Sequence, residues 1–136
     1  MGVVVPRLAH ALSRADDFRQ MTLEKLGDLS GIEIMHNGVL VAIYIRPERT
    51  KGGILRPDSN IEEDLWQGKT GFVVKTGPNA FVDDETTQFH GQNVQVGDWC
   101  CFRVGDTWQF SIREVPCRLV SDAHIKLKLA DPSIIF

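Results

Sequence analysis

Apolar residues near the start of the chain recur every three or four positions. The repeat comprises Leu8, Ala11, Leu12, Ala15, Phe18, Met21 or Leu23, and Leu26. This spacing predicts one amphipathic helix or two short ones, because residues three or four apart share a helix face. Gly27 stands where a C-terminal cap belongs. We therefore expect residues 1–30 to form a helical extension or arm whose apolar face packs on a protein surface. Membrane binding is disfavoured because the polar face carries both signs of charge.

From Gly31 onward the pattern changes to short apolar runs separated by glycine turns. Six runs predict strands: Val39–Ile45, Gly71–Val74, Asp98–Arg103, Thr107–Ile112, Cys117–Val120 and His124–Leu129. The last run alternates apolar and polar residues, which is typical of a half-buried strand. Turn signals such as Asn37-Gly38 and Gly105-Asp106 lie between the runs. Many short strands with such turns predict a mostly-β fold, either a barrel or a sandwich.

Two stretches interrupt the strand pattern. Residues 46–69 hold no convincing strand, and a loop longer than about 12–15 residues inside a compact domain tends to be functional or mobile. Residues 78–93 carry an acidic cluster between two phenylalanines: Phe81, Asp83, Asp84, Glu85 and Phe89. The second stretch predicts a protruding hairpin with a charged tip.

Composition narrows the classes of partner. The 136 residues are 43% hydrophobic and 24% charged, with a formal net charge of −3. This length fits one domain, since domains commonly have ~100–200 residues. A nucleic-acid partner is not expected, because the chain has neither a basic excess nor a basic stripe. A membrane partner is not expected either, because the longest apolar run, Val39–Ile45, is far below the ~18 residues of a spanning helix. The valines before Pro6 are too few for a signal peptide, which predicts an intracellular, cytoplasmic protein.

Signals for catalytic, cofactor or metal chemistry are weak. Residues 68–70 resemble the end of a phosphate-binding loop, but Glu63 stands where that loop needs a glycine. The four histidines lack ligand spacing, which disfavours a zinc site. Consecutive acidic residues rarely converge on one cation, so the acidic cluster is interpreted as solvated. Cys100, Cys101 and Cys117 lack a Cys-x-x-Cys spacing and are interpreted as small buried hydrophobes. We therefore expect no enzyme activity, cofactor or metal.

Five segments follow one another in an order that a known family shares. They are Met35–Val41, Thr50–Leu55, Gly71–Gly77, Val94–Phe102 and Cys117–Ile125. The first contains Met-His-Asn-Gly-Val, where the family has a Leu-His-Asp-Arg-Val-like strand, and the fourth contains its Val-Gly-Asp. Together they resemble the GroES-type co-chaperonins, the chaperonin-10 family of small ring partners of group I chaperonins. The resemblance implies a GroES-like irregular β-barrel over residues 31–136, preceded by the N-terminal α-helical extension.

The resemblance also implies a function and a set of binding residues. The protein would cap a group I chaperonin ring through a mobile loop during nucleotide-dependent protein folding, as a homo-oligomeric, heptameric ring. The tip of that loop, and so the predicted chaperonin-binding residues, would be Gly52, Gly53, Ile54, Leu55 and Arg56. Residues 78–93 fall where the family carries its roof hairpin, and we call them the roof segment.

Departures from the family keep a second hypothesis open. The family loop usually presents three apolar residues after its glycines, whereas Arg56 follows Ile54 and Leu55 here. The helical extension has no counterpart in short members, and this divergence suggests a phage-encoded or otherwise specialised relative. The alternative is a structural or assembly subunit of the virion, such as a phage capsid decoration or connector protein, with capsid or shell proteins as partners. Residues 52–55 could also be a β-turn entering a buried strand, and Trp66 could plug the end of the barrel.

Overall fold

In a computed structural model of the chain, the described residues form one α-helix followed by six strands. The structure describes residues 6–45 and 69–135, and of residues 6–14, 133 and 135 it describes the backbone alone. The elements are α1 Pro6–Leu26, β1 Gly38–Ile43, β2 Thr70–Thr76, β3 Trp99–Phe102, β4 Thr107–Ile112, β5 Val115–Ser121 and β6 Ile125–Leu129. The prediction of a helix followed by six strands is confirmed, and the helix is a single one.

The six strands form one antiparallel sheet in the order β4-β5-β1-β2-β3-β6. Register shifts occur between Leu40 and Val41 in β1, and between Cys101 and Phe102 in β3. Such bulges bend strands and increase their twist. Within the described residues, β4 and β6 remain the two edges of the sheet, so the barrel is irregular rather than closed. The predicted mostly-β class, a GroES-like irregular barrel with an N-terminal helix, is confirmed.

Both faces of the central strands of the sheet are buried against other parts of the chain. Side chains of one face, including Leu40, Phe72 and Trp99, pack with residues of α1. Those of the other face, including Val41 and Val73, pack with the start of the roof segment. Burial of β1 on both faces explains its continuous run of apolar residues, because an alternating pattern arises only where one face meets water.

Helix α1 packs through a narrower stripe than its sequence predicts. Ala15 and Leu26 are buried, as expected. However, Met21 and Leu23 are 52% and 39% exposed, so the prediction that one of them joins the packed face is wrong. Thr22 takes that place, and its hydroxyl donates a hydrogen bond to the Phe18 carbonyl at 2.7 Å. This local bond allows a polar residue to be buried on an apolar face.

The end of α1 is held from two directions. Gly27 adopts a left-handed backbone with φ of 68°, and its N–H donates to the Leu23 carbonyl at 3.1 Å. This is the glycine cap that the sequence predicts. The Arg113 guanidinium donates to the carbonyls of Leu26 and Asp28. A cation at this point also complements the negative end of the helix dipole.

Arg113 reaches the helix from an unusual turn between β4 and β5. Both central residues of the turn, Arg113 and Glu114, have positive φ, 47° and 70°. Two-residue hairpins of this kind favour Asn-Gly, because side chains with a β-carbon are strained there. The absence of Asn-Gly here explains why no turn signal marks this hairpin in the sequence.

The three cysteines are free and buried, which confirms their interpretation as small core residues. Burial raises the pKa of the Cys100 thiol to about 12 and that of Cys117 to about 11. Both thiols are therefore protonated at neutral pH and poorly nucleophilic, because the thiolate is the reactive form.

Strand β6 is confirmed, but the prediction that it is half-buried is wrong at its centre. Leu127 is 51% exposed, whereas its same-side neighbours Ile125 and Leu129 are partly buried. Lys128 is exposed and lies 3.3 Å from a carboxylate oxygen of Asp98. The difference arises because β6 is an edge strand, where alternation in sequence does not guarantee that a neighbour covers the apolar face.

Candidate functional site

The long loop begins and ends at adjacent points of the sheet. The predicted binding residues, Gly52, Gly53, Ile54, Leu55 and Arg56, lie outside the described residues, as does Trp66. The structure does describe the two strand ends that the loop joins, Tyr44, Ile45, Lys69 and Thr70, which we call the loop root. The Tyr44 N–H donates to the Thr70 carbonyl at 2.9 Å. The chain therefore leaves β1 and enters β2 at adjacent positions, which this hydrogen bond holds together.

Bonds to β3 fix the second half of the loop root. The Lys69 carbonyl accepts a hydrogen bond from the Phe102 N–H at 3.0 Å. The Thr70 hydroxyl, fully buried, lies 3.4 Å from the Cys101 sulfur. Gly71 follows at once, and a β-carbon there would collide with the Ala42 carbonyl oxygen. Glycine at this position thus permits the close approach of β1 and β2 beside the loop root.

Aromatic packing fixes the first half of the loop root. Tyr44 is 4% exposed, and its ring lies edge-on to Phe18 of α1, with centroids 5.1 Å apart, and to Trp99 of β3, at 5.5 Å. Phe72 contacts the same tryptophan at 5.3 Å. The Arg19 guanidinium lies 5.8 Å from the Trp99 ring centroid, within cation–π range. The sequence placed the four aromatic residues on the predicted helix and strands, but it did not indicate their convergence on the loop root.

The roof segment is a folded loop without strand pairing of its own. Phe81 and Phe89, both partly buried, stack edge-to-face with centroids 5.5 Å apart. The chain reverses between them, where the Asp84 N–H donates to the Thr87 carbonyl at 2.9 Å. The two predicted phenylalanines are thus together at the base of the reversal, and the acidic cluster lies beyond them.

Two of the three acidic residues shape the roof segment. Asp83 accepts a hydrogen bond from the Phe89 N–H at 2.7 Å. One carboxylate oxygen of Asp84 accepts from the backbone N–H groups of Thr86 and Thr87 and from the Thr86 hydroxyl, at 2.7–2.9 Å. These bonds hold the pKa of Asp84 below its usual value, because they favour the charged form. Glu85 is exposed at the reversal.

A buried carboxylate that sequence reasoning did not identify ties the roof segment to the sheet. Asp122, 5% exposed, accepts hydrogen bonds from the Asn37 side-chain amide at 3.0 Å and from the Phe81 N–H at 2.9 Å. It also accepts from the Ala123 N–H at 2.6 Å. The three donors come from the entry to β1, the roof segment and the connection to β6. Asp in a turn is common, so no signal in the sequence indicates this junction.

Replacement of Asp122 by alanine is expected to destabilise the protein by about 2–3 kcal/mol, because buried donors lose a charged acceptor. Urea unfolding would measure the change, and hydrogen exchange of the Phe81 amide would locate it. The exposed Glu85→Ala serves as control and should stay within about 0.5 kcal/mol of the original protein. Equal stability of the two variants would show that Asp122 does not hold this junction.

A cleft of about 630 Å³ separates the roof segment from β6. Its walls include Phe89, Ile125 and Leu127, with Lys126 and Lys128 at the rim.

Within residues 6–45 and 69–135, no three His, Cys, Asp or Glu side chains are grouped so as to hold a metal ion. The same part of the chain contains no helix that is long and apolar enough to span a membrane.

Comparison with known proteins gives a family for most of the chain. A search of curated individual proteins finds no match. A search of protein families matches residues 31–129 to Cpn10, the Chaperonin 10 Kd subunit. The matched region contains all six strands, the loop and the roof segment, and it begins after α1. It covers well over half of the 136 residues, and the chain therefore belongs to the Cpn10 family, the family of the co-chaperonins.

Proposed function

We propose that the protein is a cytoplasmic co-chaperonin that caps a group I chaperonin ring during nucleotide-dependent protein folding. The single observation that carries the proposal is the Cpn10 match over residues 31–129, since this region includes the long loop as well as the sheet. The closed loop root adds support. A segment that leaves and re-enters a sheet at one point can extend to a partner without disturbing the strands on either side.

Binding is assigned to the tip of the loop. Ile54 and Leu55 would enter an apolar groove of the chaperonin, with Gly52, Gly53 and Arg56 beside them. Burial of one such apolar side chain contributes roughly 1.5–3 kcal/mol, so two contribute about 3–6 kcal/mol. Ordering a glycine-containing loop opposes this gain. One loop would therefore bind weakly and release readily.

A ring turns weak contacts into a stable cap. Once one loop is bound, its neighbours act at a high effective concentration, and the whole assembly gains affinity without any new type of contact. We propose a ring of seven subunits, as the family resemblance implies. In this assembly residues 31–136 form the barrel, residues 1–30 form an added extension, and the roof segment covers the chamber.

Native mass spectrometry tests this function directly. The protein is measured alone, with a group I chaperonin and ATP, and with the same chaperonin without nucleotide. The expected result is a seven-subunit ring that joins the chaperonin only when ATP is present. A monomer or small oligomer that ignores the chaperonin under both conditions would contradict the proposal, and would direct the search to capsid or shell proteins as partners.

A further inference from the structure

Helix α1 lies before the first matched residue, so the family assigns it no role. Its position does. We propose that α1 holds the loop root in a fixed position, and that Phe18 is the positioning residue through which it does so. This inference deepens the proposed function and rests on it for its effect on chaperonin binding, whereas its structural part can be tested without a chaperonin.

Among the described side chains, the ring of Phe18 in α1 contacts the loop root. Phe18 meets the edge of Tyr44 with centroids 5.1 Å apart and rings inclined by 78°. On another side, Tyr44 meets Trp99 at 5.5 Å. The backbone N–H of this same tyrosine donates to the Thr70 carbonyl, and that bond joins the two ends of the loop. The residue that Phe18 contacts is therefore the same residue whose backbone closes the loop root.

The helix is held firmly enough to act as a support. Near its middle, the Arg19 guanidinium donates to the Gly97 carbonyl at 2.7 Å and lies over the Trp99 ring. At its end, Arg113 donates to the carbonyls of Leu26 and Asp28. These contacts attach α1 to two separate turns of the sheet, before β3 and after β4. An element fixed at both places can restrict its neighbours instead of moving with them.

The chain just beyond α1 is attached to the sheet as well. The Lys75 ammonium group, on β2, donates to the carbonyl oxygens of Leu29 and Ile32. The same strand begins at Thr70 in the loop root. Thus β2 is bonded near one end to the chain that follows α1, and its other end lies in the loop root.

A fixed loop root has a consequence for capping. A binding segment with restrained ends samples fewer directions, so less conformational entropy is lost when it binds. In a ring, the effective concentration of each later loop also depends on how well its direction is defined. Loosening the loop root at every subunit should therefore weaken the cap, even though no chaperonin-contacting residue has changed.

The test compares four variants of the full chain. Phe18→Leu removes the ring contact while keeping an apolar side chain, and Phe18→Tyr retains a ring. Met21→Ala changes an exposed residue of the same helix. Val120→Ala opens a cavity at the opposite end of β1, where Val120 pairs with Val39. It thereby reports general destabilisation of the sheet.

Hydrogen exchange provides the decisive readout. The Tyr44 amide reports the loop root, and the Gly77 amide, bonded to the Gly38 carbonyl at 2.8 Å, reports the far end of β1. In Phe18→Leu, exchange at Tyr44 should rise about tenfold relative to exchange at Gly77. Phe18→Tyr and Met21→Ala should each show the same ratio of exchange at Tyr44 to exchange at Gly77 as the original protein. Val120→Ala should not raise it. If Phe18→Leu raises hydrogen exchange equally at the Tyr44 and Gly77 amides, Phe18 is an ordinary core residue and the inference is wrong.

Capping is measured in parallel on the same proteins. Phe18→Leu should weaken ATP-dependent association with the chaperonin by about tenfold, whereas Val120→Ala and Met21→Ala should not, as long as each is folded. Failure of the unchanged protein to bind would contradict the proposed function but leave the exchange result valid. Normal binding by Phe18→Leu, despite a raised Tyr44 ratio, would show that the chaperonin does not require a fixed loop root.

Discussion

Replacement of Ile54 by serine is expected to abolish ATP-dependent association with the chaperonin while leaving the sheet folded. The change removes about 1.5–3 kcal/mol of apolar burial from a contact that supplies only about 3–6 kcal/mol before the ordering cost is subtracted. Because every subunit of the ring carries the change, the loss occurs at each contact and avidity cannot compensate for it. Native mass spectrometry with chaperonin and ATP should show the free ring alone.

A chemically matched control separates loop binding from general loss of apolar surface. Ile134 is 65% exposed and lies beyond the region that matches the family, so Ile134→Ser makes the same substitution elsewhere on the surface. It should cap normally. Ile134→Ser should show the same urea midpoint as the original protein, since an exposed substitution usually changes stability by less than about 0.5 kcal/mol. Ile54→Ser should do so as well, because the proposed function assigns Ile54 to the contact with the chaperonin rather than to the sheet. Normal capping by Ile54→Ser would show that the loop tip has been assigned to the wrong residues.

The largest expected change in stability comes from Trp99. Replacement by alanine should lower the free energy of unfolding by about 3–5 kcal/mol, the usual cost of removing a buried large aromatic side chain. Trp99 is 2% exposed and contacts the rings of Phe18, Tyr44 and Phe72, so its removal leaves a cavity where helix, loop root and sheet meet. Urea unfolding followed by circular dichroism would measure the change.

Trp108 is the control for this substitution. It lies on edge strand β4 and is 71% exposed, so Trp108→Ala removes the same side chain with little loss of burial. Its stability should stay within about 0.5 kcal/mol of the original protein. If Trp99→Ala does not fold, Trp99→Phe, which keeps a ring in the cavity, should fold with a smaller loss. Equal effects of alanine at Trp99 and Trp108 would contradict the description of this aromatic cluster.

The positions of the strands follow closely from local sequence. Runs of β-branched and apolar residues predicted all six, and glycine turns separated most of them, because a strand in such a sheet needs a packable surface and the chain must turn between strands. The same holds for α1, where the repeat of three or four and the cap at Gly27 set the type of element and its end. Burial was predicted less well, as Thr22 and Leu127 show, because it depends on what covers each position.

The two parts of the candidate site differ in how far the sequence predicts them. For the roof segment, the sequence indicated the acidic cluster and the phenylalanines on either side of it, since both are contiguous in the chain. It gave no indication of Asp122, whose donors Asn37 and Phe81 are 85 and 41 positions away. For the loop tip, Ile54 and Leu55 were identified through the resemblance to co-chaperonins, and this assignment stays a prediction.

The sequence by itself determined the class of fold, the order of its elements and, through five spaced segments, the Cpn10 family, because each of these depends on local patterns and their sequence order. Only the tertiary structure decided how distant residues meet: Phe18 against Tyr44, Asp122 beneath the roof segment, and Arg113 at the end of α1. The physical reason is that packing and hydrogen bonding act over a few ångströms, regardless of how far apart two residues lie along the chain. A pattern read along one chain contains no measure of that distance.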